Sequence, residues 1–379
     1  MTLLQTLSGK VIALAVTGSI AAVETVRLAH ALRRRGAEVQ AVMSEAAVGI
    51  ISPDALAYAT GRPAIVRCTG LVEHVEFCGE GGRADLLLIA PATANTIAKM
   101  AHAIDDTPVT TFATTAIGRG MPIVVVPAMH ESMFCHPGVR ESLSRLIEWG
   151  IDIVEPRIEE GRAKIAEIET IVLHAERAVL GKPLLGKRVL ITSGPCAEPV
   201  DDIRVLTTRS SGQMGQALAL QAYRLGADVA VVHADTFPCV QNVRAVTAAE
   251  MHEAVHRIFR DQGVDIYISA AAISDFAPRQ REGKIPSGEP QTIRLDPLPK
   301  LLDEVFEAYR PVTVAFKLGW REEKRAAAMI DAGIDMVVVN APPVMGAAGG
   351  QFSLLTKWGR QHVAGSKEEV AAAIWAGLR

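Results

Sequence analysis

Apolar residues fall in short unbroken runs along this chain, and each run is followed by a stretch with helical spacing. Val11-Ile-Ala-Leu-Ala-Val16 is the first, apolar throughout as a strand covered on both faces must be. Val26, Leu28, Ala29 and Leu32 then mark one face of a helix ending near Arg35-Gly36. Further strands are predicted over residues 38–43, 84–90 and 121–126, and an amphipathic helix over 167–180. Gly181-Lys-Pro-Leu-Leu-Gly186 has linker composition. The alternation then restarts. Strands are predicted over 188–192, 228–233, 264–269, 312–316 and 336–340, with a helix over 216–225 closed by Gly226. This alternation predicts an α/β protein of two Rossmann-like parallel-sheet domains, residues 1–180 and 187–379, joined by a linker at 181–186.

The length of 379 residues suits two domains, and 49% hydrophobic with only 4% aromatic residues suits parallel sheets rich in Ala and Val. A net charge of −3 gives no basic field for nucleic acid or an anionic membrane. No apolar run reaches transmembrane length, and the N-terminal residues lack the pattern of a signal peptide. Five scattered cysteines with no CxxC pair indicate neither a disulfide framework nor a zinc site, and a reduced cytoplasm is the expected compartment.

The chemistry gathers where strands end. Gly18-Ser-Ile-Ala-Ala follows the first strand, as a nucleotide or flavin phosphate loop would, or simply as a tight turn. Pro91-Ala-Thr-Ala-Asn95-Thr follows the third, and Pro127-Ala-Met-His130-Glu-Ser-Met the fourth. In open parallel sheets that edge binds ligands. His74, in Leu71-Val-Glu-His-Val-Glu-Phe77, is a possible proton shuttle or a solvated side chain. In the second half a loop from Thr192 to Gly215 joins the first strand to its helix, and loops of that length are usually functional. Its Ser210-Ser-Gly212 stands where free N–H groups at a helix start can hold phosphate.

These loops, taken together and in order, resemble the bifunctional phosphopantothenoylcysteine decarboxylase/phosphopantothenate–cysteine ligase family of coenzyme A synthesis, from about residue 8 to the C-terminus. The first half is similar to the flavin-dependent cysteine decarboxylases, of flavodoxin type. The resemblance implies FMN beside Gly18, Ser19 and Ile20, with Ser44, Thr93, Asn95 and Thr111 around it. It implies catalysis by His74 at the substrate carboxylate, with Met129 and His130 at the substrate. The flavin would oxidise the cysteine thiol moiety, CO₂ would leave, and the enethiol would be re-reduced. The second half is similar to the ligases, which make an acyl-cytidylate from CTP. It implies CTP or phosphate contacts at Gly194, Ser210, Ser211, Gly212, Asp275, Phe276, Lys284, Lys317 and Asn340. Thr208 and Arg209 would face the substrate, Lys284 would also be catalytic, and Mg²⁺ would accompany the triphosphate. The substrates implied are 4′-phosphopantothenate and cysteine, and the assembly a homo-oligomer, with trimeric decarboxylase and dimeric ligase halves.

Four positions depart from the family pattern. His130 replaces an asparagine after Pro-Ala-Met. No cysteine lies between Cys135 and Cys196, where many members carry a clamp cysteine that takes part in reducing the enethiol. Arg162 and Lys164 stand in that stretch, as a basic clamp or as solvated charge. Thr208 replaces the ligase asparagine, and Leu318-Gly319 ends a motif that elsewhere ends in glutamate. All four bear on substrate chemistry rather than cofactor binding. A rival reading is therefore a paralogue acting on a different acid and amine, or a flavoprotein without decarboxylase activity. A regulatory flavin-binding subunit is a third, which the retained His74 disfavours.

Overall fold

The computed structural model describes residues 4–159 and 162–378, the side chain of Arg162 excepted. The chain divides into two compact units, 1–181 and 182–379. Residues 182–187 belong to the second: the Leu184 N–H donates to the Leu225 carbonyl at 3.0 Å.

In the first unit five parallel strands lie in the spatial order Glu38–Met43, Val11–Val16, Leu86–Ala92, Ile123–Pro127, Asp152–Ile153. That is chain order 2-1-3-4-5, a doubly wound arrangement with its switch point between the first and third strands. Period-two alternation sends Ile12, Leu14 and Val16 to one face and Ala13 and Ala15 to the other. All seven residues of Leu86–Ala92 are buried, which is why the sequence there shows no polar alternation. The strand predicted at 84–90 begins two residues later and takes in Pro91 and Ala92. The helix Thr25–Arg34 covers one face; Ala94–Ala101 and Pro108–Arg119 cover the other.

The second unit has an eight-stranded sheet. Its order is Gln241–Arg244, Asp228–His233, Arg188–Thr192, Ile266–Ser269, Val312–Leu318, Met336–Asn340, Gly349–Thr356, Gly359–Ser366. The first six are parallel, with the switch point between Arg188–Thr192 and Ile266–Ser269. The last two close the sheet as an antiparallel hairpin. The strand runs of the sequence included neither the hairpin nor the edge strand Gln241–Arg244: Gln241–Arg244 and Gly359–Ser366 are largely exposed and polar, and Gly349–Thr356 buries only Phe352, Leu354 and Leu355. The helix Gln213–Arg224 starts three residues before the predicted 216, immediately after Gly212 in the left-handed region (φ 70°).

Candidate active sites at the sheet edges

At the switch point of the first sheet, Thr17 ties two strand ends together. Its buried hydroxyl donates to the Pro91 carbonyl at 2.8 Å and accepts from the Thr93 N–H at 3.0 Å. Gly18 comes next. A Cβ there would lie 2.5 Å from the Ala46 Cβ, so only glycine lets the turn approach the segment after the second strand. Ser44 is buried behind this turn and caps the short helix Glu45–Val48, its hydroxyl accepting from the Ala47 N–H. Ser19 caps Ile20–Glu24, and Thr93 caps Ala94–Ala101.

These turns open onto a cleft of about 1110 Å³. Gly18, Ser19, Ile20, Thr93, Met129 and His130 line it together. Its far wall comes from a small antiparallel sheet in which Arg162–Lys164 pairs with both Met129–His130 and Arg157–Glu159. Arg157 and Lys164 line the cleft, each ion-paired with Glu159, at 3.2 and 2.9 Å. The side chain of Arg162 lies outside the described residues.

Four expected residues lie off this cleft, the buried Ser44 and three others. Asn95 is exposed on the first turn of its helix. Thr111 donates its hydroxyl to Asp105 and to the Thr107 carbonyl, close to Cys68. His74 sits on the short helix Glu73–Cys78, beside that group. Its Nδ1 is buried and has no hydrogen-bond partner among the described residues. Val72, just before this helix, is held at φ 51°. A β-branched residue there is strained by roughly 1–3 kcal/mol, and such strain concentrates at functional sites. Leu71, Val72, Val75 and Ile104 are exposed around it.

In the second unit the switch point is laced by backbone. The Ala270 N–H donates to the Thr192 carbonyl (3.1 Å) and the Ala272 N–H to the Gly194 carbonyl (2.9 Å). Gly215 lies against Ser193, where a Cβ would be 2.1 Å from the serine Oγ. The adjoining cleft, about 460 Å³, is lined by Thr208, Ser210, Ser211, Gly212, Asp275, Lys317 and Asn340. Gly194 packs just behind, its Cα 3.5 Å from where a Gly212 Cβ would stand. The Thr208 Oγ1 is buried and without a partner among the described residues, although the residue stands on the cleft wall. Asp275 is ion-paired with Lys300, and the exposed Phe276 pairs with Pro297 in a two-stranded ribbon.

Lys284 and Arg209 do not line this cleft among the described residues. Lys284 is exposed, on a segment fastened to the long loop by two aspartates. Asp201 accepts from the N–H groups of Ile203, Arg204 and Ile285 at 2.7–3.0 Å and pairs with the Arg204 guanidinium. Asp202 accepts from the Gly283 N–H at 2.9 Å. The Ile285 N–H first, with the other donors, holds the Asp201 carboxyl well below the usual range. Burial pushes the Cys196 thiol up to about 11, so it is an inert core group.

Three charged residues of this cleft, Glu322, its ion-pair partner Arg325 and Lys367, were not among the expected ones. Glu322 folds back over Gly319, its Oε1 3.0 Å from the position of a Gly319 Cβ. A carboxylate thus stands beside the motif position that lacks one, supplied three residues later. Lys367, at the start of the helix Lys367–Gly377, lies 4.9 Å over the Phe352 ring, and burial lowers its pKa.

Residues 2–179 match the Flavoprotein family model, and residues 184–379 match the model of the DNA/pantothenate metabolism flavoprotein C-terminal domain. The chain is 44% identical to the coenzyme A biosynthesis bifunctional protein CoaBC of Thermococcus kodakarensis, over 97% of this chain and 94% of that one. The chain belongs to the CoaBC family. The CoaBC of Methanocaldococcus jannaschii is 37% identical over 97% of this chain and 93% of its own. A crystal structure of the C-terminal domain of a CoaBC is 29% identical, with a TM-score of 0.43, over 52% of this chain and 95% of that one. As a CoaBC family member the chain is a bifunctional enzyme of coenzyme A biosynthesis, with a flavoprotein decarboxylase half and a ligase half. No helix among the described residues is long and apolar enough to cross a membrane.

Proposed function

We propose that the second unit joins 4′-phosphopantothenate to cysteine through an acyl-cytidylate made from CTP, and that the first unit decarboxylates the product to 4′-phosphopantetheine with FMN. The observation that carries the ligase reading is the orphaned Thr208 hydroxyl in the cleft. A buried polar atom without a partner is rare, and a ligand oxygen is the partner it lacks. Ser210, Ser211 and Gly212 offer donors to phosphate at the start of the Gln213–Arg224 helix, and Lys317 adds charge. Lys284 reaches the triphosphate from the segment that Asp201 and Asp202 hold in place. Mg²⁺ takes one or two carboxylates plus substrate phosphates. Glu322 and Asp275 are the carboxylates on this cleft, and each already faces a cation, Asp275 the Lys300 ammonium and Glu322 the Arg325 guanidinium at 3.6 Å.

FMN fits the first cleft: the Gly18 turn comes close where a side chain would collide, and donors of Ser19 and Thr93 face the same space. When bound, it supplies the two-electron chemistry that lets CO₂ leave. Met129 and His130 bind the substrate end, and His74 moves the proton at the carboxylate. His74 is absent from the cleft wall of its own chain. Its exposed apolar surroundings, with Ile20 at 77% exposure on the cleft, support a homo-oligomer in which a neighbouring copy brings the histidine to the flavin.

Thr208→Val tests the ligase reading. It keeps the shape and removes the hydroxyl. Pyrophosphate release from CTP, in the presence of 4′-phosphopantothenate, is expected to fall about tenfold to a hundredfold in kcat/KM. The melting temperature is expected to hold or rise, because an unsatisfied buried hydroxyl becomes a methyl. Unchanged turnover would mean that this hydroxyl does not face the substrate.

A further inference from the structure

The helix Ala248–Gln262 of the second unit carries two histidines four residues apart, which places them on one face. His252 and His256 have ring centroids 4.5 Å apart. The helix Leu301–Tyr309 brings Glu304 against both. The Glu304 Oε2 lies 2.5 Å from His252 Nε2 and 3.5 Å from His256 Nε2. The three ligand atoms lie within 4.8 Å of one another, and none of these residues lines the nucleotide cleft. We propose that His252, His256 and Glu304 bind a divalent transition-metal ion of the zinc type, which clamps the two helices together.

Two imidazoles and a carboxylate form a donor set that such ions prefer and that Mg²⁺ does not. Bonds of about 2.1 Å in a tetrahedron separate ligand atoms by roughly 3.4 Å. The His256–Glu304 separation already has that value. The shorter His252–Glu304 contact is a hydrogen bond whose proton the metal would replace, with a small rotamer change.

His256 is set up for the role. Its Nε2 is buried and makes no hydrogen bond, while its Nδ1 lies 3.1 Å from the Tyr309 hydroxyl. With Nδ1–H donating to that oxygen, the Nε2 lone pair points toward Glu304, an outer-shell arrangement common among metal-binding histidines. Tyr309 is fixed in turn by stacking on Phe259, with centroids 4.4 Å apart and planes 9° apart. Burial, then the neighbouring His252, lowers the pKa of His256 against the opposing pull of Glu304. The hydrogen bond from His252 lowers the Glu304 pKa and keeps it ionised. His252 and Glu304 are 38% and 41% exposed, so an ion can enter and keep a water as fourth ligand. The same helix anchors the active-site loop, because the Ala248 N–H donates to the buried Glu198 carboxylate at 2.8 Å.

The test uses the full chain, stripped by a chelator and free of nucleotide. Zn²⁺ is titrated calorimetrically, and Co²⁺ serves as a visible-band probe. One equivalent of Zn²⁺ is expected to bind, to raise the melting temperature and to persist in excess Mg²⁺. Glu304→Gln and His252→Gln, both at half-exposed positions, are each expected to weaken Zn²⁺ by more than the roughly 10–100-fold that loss of an outer-shell partner costs, and to abolish the Co²⁺ bands. His256→Ala also loses the Tyr309 contact, so the two glutamine variants carry the test if it fails to fold. Absence of stoichiometric binding in the wild type, or unaltered Zn²⁺ affinity and Co²⁺ bands in the His252→Gln/Glu304→Gln double variant, would overturn the site and leave a His–Glu helix pairing alone.

Discussion

His74→Asn is expected to cut CO₂ release from the phosphopantothenoylcysteine conjugate roughly a thousandfold, while the purified protein keeps its flavin absorbance. The magnitude is that of a lost proton-transfer group, worth about 10²–10⁴ in rate. The fold has little stake in this side chain. Phe77 and Cys78 anchor its helix in the core, whereas His74 is half-exposed and leaves Nδ1 without a partner. The turn at Gly18 and Ser19, on the cleft proposed for FMN, does not include His74 and is untouched. Decarboxylation at the wild-type rate would remove His74 from the chemistry. Loss of flavin together with activity would make its role one of assembly.

Gly215→Ala is expected to lower kcat/KM for CTP at least about a hundredfold, while decarboxylation of preformed conjugate continues. The added Cβ would stand 2.1 Å from the Ser193 Oγ and 2.4 Å from its Cβ. Ser193 cannot retreat: its N–H donates to the Val232 carbonyl at 3.1 Å and its hydroxyl to the Gly212 carbonyl at 3.2 Å. The start of the Gln213–Arg224 helix must therefore move outward and carry the Ser210–Gly212 donors with it. A displacement near 1 Å in a positioning element costs on the order of 10² in rate, and overpacking costs about 1–3 kcal/mol of stability. Comparing pyrophosphate release with CO₂ release in the same preparation separates a local from a global effect. Normal CTP turnover would show that the helix start does not position the nucleotide.

The sheets were legible because their strands are buried on both faces and leave unbroken apolar runs; Leu86–Ala92 shows this most plainly. The hairpin strands Gly349–Thr356 and Gly359–Ser366, the first half-buried and the second largely exposed, carried no such run. Residues that share a strand-end loop were also legible as a group, so Gly18, Thr93 and His130 meet on one cleft, and Thr208, Gly212 and Asn340 on another. Sites assembled across the chain were not. Glu322 reaches the cleft by folding back over a glycine, and nothing in its spacing announces that. Asp201 lies within the long Thr192–Gly215 loop, but its part in holding Ile285 depends on a segment 84 residues away. The His252-x₃-His256 spacing is visible in the sequence and puts both rings on one face of a helix; Glu304, 48 residues further on, joins them only through the fold. The departures at His130, Thr208 and Gly319 motivated a paralogue reading. Membership of the CoaBC family, with both halves matched, favours the coenzyme A reading instead.

The central claim is that one chain performs both steps. The most direct measurement is a single incubation of the full chain with FMN, Mg²⁺, CTP, 4′-phosphopantothenate and cysteine, read by mass spectrometry. The expected result is 4′-phosphopantetheine, with CMP and pyrophosphate formed in step with it. A protein that binds flavin yet forms neither 4′-phosphopantetheine nor the phosphopantothenoylcysteine conjugate would contradict the claim, and would point to a different acid and amine.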